Sequence, residues 1–386
     1  MSAEETRIYF SGQGLPPING EGSDNDDLNV VTISRPGFEK HYITVHPDKN
    51  VSPYSMFNRA ADCVKEKNAM IIQQFVFGGN ELHGAGVDAI RQACGDIQWP
   101  ITWIQGLGAS GKLLTGTQVY AISGNETSMI RMEGEVIGSV YEDDDAKYCL
   151  LGDLRPSDTS LSREDQTRMT FEKMERALAL VGMDFSNVLR TWLYIDDILD
   201  WYDELNDVRT KFFDERDVFN KMVPASTGIG VSNPHGAALV TDVLAIQPKT
   251  DNVKIFAVPS PLQCPAIDYK SSFSRAVELQ LPDHRQLFIS GTASIEPGGA
   301  TVHIDDTAKQ IELTMEVVKA ILESRDMSWE NTTRAIAYFK DTKDLPLLYD
   351  YCKANNLPDM PIAIAHSDIC RHDLLFEIEF DASIAT

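Results

Sequence analysis

Two stretches decide the fold: QTRMTFEKMERALALVGMDFSNVLRTWLYIDD at 166–197 and QIELTMEVVKAILESRDMSWENTTRAIAYFKD at 310–341. Gln166 and Gln310, Met183 and Met327, Asn187 and Asn331, Arg190 and Arg334, Tyr194 and Tyr338, and Asp197 and Asp341 all stand 144 positions apart. Six identities at one offset, without a gap, mark an internal repeat. The first half of each copy carries apolar residues at helical spacing, and the second half alternates like a strand. A strand ending in glycine precedes each copy, YCLLG up to Gly152 and LFISG up to Gly291. A second helix follows, WYDELNDVRTKFFDER or LPLLYDYCKANN, then proline and a final strand, GAALVTDVLAIQP or DLLFEIEFDA. Two helices covering one face of a mixed, largely antiparallel sheet make an α+β layer arrangement.

Working outward, two such units fill residues 101–250 and 251–386. Residues 1–100 alternate short strands (VVTI, YITVH, MIIQQFVFG) with helical stretches (SPYSMFNRAADCVKEKN, LHGAGVDAIRQAC) and read as an α/β extension or a degenerate further layer. Its start, GQGLPPINGEGSDNDD, has no periodicity.

The chain has 386 residues, 34 Lys+Arg against 58 Asp+Glu and a formal net charge of −24. Such a surface repels phosphate backbones and anionic lipid, so nucleic acid and membranes are poor partners. An anionic substrate therefore needs basic residues concentrated at its site. No run approaches the ~18 apolar residues that span a bilayer, and the acidic start MSAEETRIYF does not read as an export signal. Six scattered cysteines without a Cys-x-x-Cys pair argue against disulfides or zinc and fit a cytoplasmic protein. The histidines show no metal-ligand spacing, so no metal is expected.

Gly106-Leu-Gly-Ala-Ser-Gly111-Lys112 has the outline of a phosphate-binding loop, but Leu113 stands where the magnesium-holding hydroxyl belongs and a strand follows. It reads as a glycine-rich hairpin loop. Pro224-Ala-Ser-Thr-Gly-Ile-Gly230 is either a cup for a carboxylate, through its backbone amides with the Ser226 and Thr227 hydroxyls, or a plain turn. Ser290-Gly291-Thr292-Ala293-Ser294 either leaves room for a ligand at a strand end or fits a crowded turn. In DLLFEIEFDA, alternation puts Leu375, Glu377, Glu379 and Asp381 on one face, lining either solvent or a cleft. A glutamate buried in a cleft keeps its proton and is suited to general acid catalysis.

At these residues the chain resembles the Rid (YjgF-type) superfamily, and more specifically the tandem-repeat chorismatases of the hydroxybenzoate-forming subtype. The matching segments are LRTWLYID, VPASTGIGV, LFISGTASI, the TVHIDD stretch with the Gln310 helix, and SDICRHDLLFEIE. The resemblance implies two Rid/chorismate-mutase-like units, a homotrimer with sheet faces packed around a threefold axis, and a small anionic, chorismate-like substrate at a subunit interface. It implies cleavage of an enolpyruvyl ether to pyruvate and a hydroxybenzoate without a cofactor. Glu377 is the implied general acid, with Cys370 as second catalytic residue and Gly291 beside it tuning the product. The binding set that goes with it comprises Gly291, Thr292, Ala293, Thr227, Gly228, Tyr269, Arg275, Tyr338, Lys340 and Arg190. Lys340 stands where chorismatases carry an arginine fork, and Tyr269, Lys270 and Arg275 stand where an arginine- and proline-rich stretch is expected. Two alternatives remain: a Rid-type imine/enamine deaminase, against which PIAIAHSD lacks the expected arginine, and a non-catalytic Rid-fold protein that binds small anions.

Overall fold

The described residues fold into three six-stranded sheets, each carrying two helices. The computed structural model describes residues 6–11, 28–48, 51–105, 114–269 and 271–386. The first unit holds β1 (Arg7–Ser11), β2 (Leu28–Arg35), β3 (Phe38–Val45), α1 (Ser55–Glu66), β4 (Met70–Gly78), α2 (His83–Cys94), β5 (Ile101–Ile104) and β6 (Leu114–Ser123). The second holds β7 (Thr127–Met132), β8 (Glu135–Glu142), β9 (Ala146–Leu154), α3 (Arg163–Ala179), β10 (Val188–Ile195), α4 (Ile198–Glu215), β11 (Ala225–Gly230) and β12 (Leu239–Pro248). The third holds β13 (Lys254–Val258), β14 (Ala276–Gln280), β15 (His284–Ala293), α5 (Thr307–Glu323), β16 (Thr332–Phe339), α6 (Leu345–Ala354), β17 (Ile362–His366) and β18 (Phe376–Ala385).

The strand orders are β1-β2-β3-β6-β4-β5, β7-β8-β9-β12-β10-β11 in reverse listing, and β13-β14-β15-β18-β16-β17, which is one topology used three times. The α+β class and the repeated unit are as the sequence indicates. The boundary at residue 100 is corrected. β5 and β6 pair with β4 and β3, so residues 101–123 complete a first unit, and the second begins at Thr127. The N-terminal segment is a full third unit rather than an extension. Its divergence is visible where the repeats place their shared arginines: the residue following the β-bulge is Arg190 in β10 and Arg334 in β16, but Gln73 in β4.

Each unit buries a helix-facing core of its own, for example Phe171, Met174, Leu205 and Phe212 beneath α3 and α4. The opposite sheet faces meet one another. Phe75 and Phe77 of the first unit, Trp192 and Tyr194 of the second, and Phe288, Ile336 and Tyr338 of the third share a single cluster. Three sheets thus pack face to face inside one chain. Buried polar contacts run cyclically around this centre. The Gln73 amide donates to Asp242 at 2.7 Å, Arg190 pairs with Glu379 at 3.1 Å, and Arg334 donates to Gln118 at 3.2 Å. At one end, Arg35 of the β2–β3 hairpin is paired with Asp143 and Asp145 of the second unit and Asp283 of the third. Among the described residues, no helix is long and apolar enough to cross a membrane.

Candidate active site

Three interfaces of one topology could each hold a site, and local sequence decides which of them is open. On β11 the ladder position opposite Leu193 is Gly228; its counterparts are Trp103, opposite Val76 on β5, and Ile364, opposite Ala337 on β17. On the last strand of each unit, Glu377 lies opposite Tyr338, whereas Val240 lies opposite Tyr194 and Gly116 opposite Phe77. The interface between the second and third units therefore combines a missing side chain with a carboxyl group. The first–second interface instead receives the buried Trp103 indole, whose Nε1 donates to the Gly78 carbonyl at 2.8 Å.

A cavity of about 500 Å³ opens at the second–third interface. That lies within the range of sites for small organic ligands. One wall comes from α4 and β11, with Tyr202, Asn206, Arg209, Ser226 and Gly228. The other comes from Tyr269, Arg275, Gly291, Ala293, Cys370, Arg371 and Glu377. Backbone pairing of Gly230 with Asp368, and the Ser226 N–H donating to Ser290 Oγ at 2.9 Å, hold the two walls together.

Glu377 is 5% exposed, and no hydrogen bond among the described residues engages its carboxyl group. Burial, reinforced by the negative charge of Glu379 and opposed by Arg275 and Arg190, pushes its pKa up to about 8. A carboxyl group in that condition carries a proton at neutral pH. Gly291 explains how it fits: a Cβ there would come within 2.0 Å of Glu377 Oε1 and 3.1 Å of Thr227 Cγ2. The Cys370 thiol is pushed up to about 12, chiefly by burial and next by Glu377, so it remains a thiol.

Two cavity guanidiniums have buried N–H groups without partners: Arg209 Nε and one terminal nitrogen of Arg275. Arg209 is 2% exposed and otherwise bonds Asn206; Arg275 is 5% exposed, and its Nε donates to the Cys264 carbonyl at 3.0 Å. An unpartnered buried donor is costly, and the two guanidiniums give this wall of the cavity positive charge that suits an anionic ligand. Arg371 stands over the Tyr269 ring, 5.4 Å from its centroid, and donates to the Gly299 carbonyl.

Of the residues singled out from sequence, Glu377, Cys370, Gly291, Ala293, Gly228, Tyr269 and Arg275 meet at this cavity. The others are corrected. Thr292 alternates away from it, donating to the Ser290 carbonyl. Thr227 sits one layer behind, its Oγ accepting from the Gly291 N–H at 3.0 Å and from Arg190 at 3.0 Å. Arg190 and Tyr338 belong to the centre, where both meet Glu379. Lys340 Nζ donates to the His372 carbonyl at 2.8 Å and lies outside the cavity, so its place in the family's arginine position does not touch the site. Arg209, Tyr202 and Arg371 were missed. Arg209 was legible only as a basic residue on the inward face of an acidic helix. Gly106–Lys112 and Lys270 lie outside the described residues. Among the described residues, no three His, Cys, Asp or Glu side chains are grouped to hold a metal ion.

Residues 155–244 match the family model described as Endoribonuclease L-PSP. The chain is 27% identical over 275 residues to a 3-hydroxybenzoate synthase of Streptomyces hygroscopicus, an alignment covering 64% of this chain and 76% of that one. It is 28% identical over 226 residues to a chorismatase of Streptomyces rapamycinicus, covering 52% of this chain and 65% of the relative. A crystal structure of a chorismatase superposes with a TM-score of 0.61 over 81% of this chain and 92% of that one, at 20% identity, so the two share a fold. In sequence and in fold the chain resembles the chorismatases.

Proposed function

We propose that this chain cleaves the enolpyruvyl ether of chorismate, or of a close analogue, giving pyruvate and a hydroxybenzoate-type product, with Glu377 as general acid. The observation that carries this reading is a buried, protonated carboxyl group facing a cavity with two under-satisfied guanidiniums. A dicarboxylate fits that pair, and an enol ether needs an acid. The Glu377 proton goes to the terminal methylene carbon; the π electrons form the new C–H bond and leave an oxocarbenium-like centre. The conjugate carboxylate stabilises that centre. Capture by water and collapse of the hemiketal give pyruvate and a dihydrodiol. Capture by the ring hydroxyl gives instead a cyclic ketal. Its bond to one ring carbon breaks while the other oxygen-bearing ring carbon gives its proton to the released oxygen, which aromatises the ring. Collapse of that hemiketal passes the proton to the phenol and yields pyruvate and a hydroxybenzoate with no net water consumed. In either branch the captured oxygen's proton returns to Glu377.

Gly291 and Cys370, together beside Glu377, support the hydroxybenzoate branch, as does the likeness to a 3-hydroxybenzoate synthase. A protonated thiol there serves as a relay and not as a standing base. The test is incubation of pure protein with chorismate, with pyruvate followed by a coupled lactate dehydrogenase assay and the aromatic product by chromatography. Stoichiometric pyruvate and hydroxybenzoate are expected. Turnover of imino acids without pyruvate release from chorismate would favour the deaminase reading and overturn this one.

A further inference from the structure

Two residues beyond Glu377 on the same face of β18 lies Glu379, wholly buried and out of reach of the cavity. It is held from four sides. Arg190 reaches one oxygen at 3.1 Å, Arg334 and the Trp192 Nε1–H (2.8 Å) donate to the other, and the Tyr338 hydroxyl lies 3.4 Å away. Arg190 also donates to Thr227 Oγ, which accepts from the N–H of Gly291, the residue whose Cα abuts Glu377. Without Glu379, the same arginine would keep only the Ile289 carbonyl and Thr227 Oγ as partners and its positive charge would act on Glu377 with no carboxylate to offset it.

We propose that Glu379 is a positioning residue for the acid: its fixed negative charge engages Arg190 and keeps the neighbouring Glu377 in its proton-donating form. The kinetic consequence rests on the chorismatase-like reading above, whereas the electrostatic one rests on the geometry alone. The groups facing Glu377 are Glu379 on its own strand, Arg190 on β10, Tyr338 on β16, Arg275 at the start of β14, Cys370 in the segment before β18 and Tyr202 on α4. Tyr338, Tyr202 and Cys370 are all pushed up, first by burial, and are neutral at working pH. The charged groups that shift Glu377 are therefore one carboxylate and two guanidiniums, while Arg209, Arg371, Asp203 and Asp207 line the same cavity. Burial would raise Glu379, but Arg334 and Arg190 outweigh it and hold Glu379 ionised. Removing its charge leaves Arg190 and Arg275 unopposed, and Glu377 then loses its proton at lower pH. Removing Arg190 does the opposite. Same-face neighbours on a strand are about 7 Å apart, which at an effective dielectric of about 20 corresponds to a shift of roughly one to two pH units.

The experiment compares parent, Glu379→Gln and Arg190→Gln by two readouts. One is the basic limb of kcat/KM against pH. The other is the infrared stretch of the protonated carboxyl group, assigned to Glu377 by its loss in Glu377→Gln. Glu379→Gln should move both down by about one to two pH units, and Arg190→Gln should move both up. A purely structural role would lower activity without moving either limb, and folded variants with unmoved limbs and stretch overturn the proposal. Should Glu379→Gln fail to fold, the double variant Arg190→Gln/Glu379→Gln is compared with Arg190→Gln, a lower limb and stretch in the double variant supporting the proposal and equal ones refuting it. If the parent releases no pyruvate from chorismate, the reaction reading fails, and the infrared titration still decides this one.

Discussion

Filling the cavity from the Gly228 side tests which interface is the site. Gly228→Ile gives this position the residue that its counterpart, Ile364, carries in the third unit. A Cβ at Gly228 would meet Ile195 Cδ1 at 3.7 Å and Tyr202 at 3.9 Å, which is ordinary contact, and the backbone there is not left-handed. Gly228→Ala should therefore behave like the parent. Isoleucine adds four carbons, each about the size of a water molecule, or roughly 100 Å³. That removes about a fifth of a cavity of about 500 Å³. Forcing a ligand against such a side chain costs about 1–3 kcal/mol, so kcat/KM for chorismate should fall roughly 10- to 100-fold. A β-branched residue suits a strand, so the melting temperature should hold. The assay is coupled pyruvate release alongside thermal unfolding. A folded Gly228→Ile protein with the parental kcat/KM would show that the reaction does not use this interface.

Other consequences follow from the charges. Because Glu377 must hold its proton to act and burial raises it to about 8, kcat/KM should be flat through neutrality and fall above about pH 8. A stopped pyruvate assay across pH 6–10 checks this, and a limb near the ordinary carboxylate range would contradict it. Arg35→Ala leaves Asp143, Asp145 and Asp283 facing one another where three units meet. It should cost about 3 kcal/mol in denaturant unfolding, and an unchanged midpoint would mean the cluster holds nothing together.

The repeat was legible because the second and third units keep Arg190 and Arg334, Tyr194 and Tyr338, at one spacing. The first unit was not, because Gln73 and Phe77 occupy those positions and its loops differ in length, so a full sheet read as an extension or a degenerate layer. Alternation placed Glu377, Glu379 and Asp381 on one face correctly. It could not show that this face meets two other sheets, which buries Glu379 among arginines and leaves only Glu377 beside a cavity. Tyr338 and Lys340 were drawn into the site by the family resemblance, yet one faces the centre and the other lies past the strand end. Arg209 escaped because its partner wall lies in another unit, and no local pattern records a contact between α4 and β18.

The central claim is that Glu377 supplies the proton, and Glu377→Gln tests it most directly. The amide keeps the shape of a carboxyl group that is already neutral in the folded protein, so thermal unfolding should match the parent. General acid catalysis contributes about 10²–10⁴-fold, and kcat for pyruvate release from chorismate should fall by that much. A Glu377→Gln protein that melts normally and releases pyruvate at the parental rate would contradict the account.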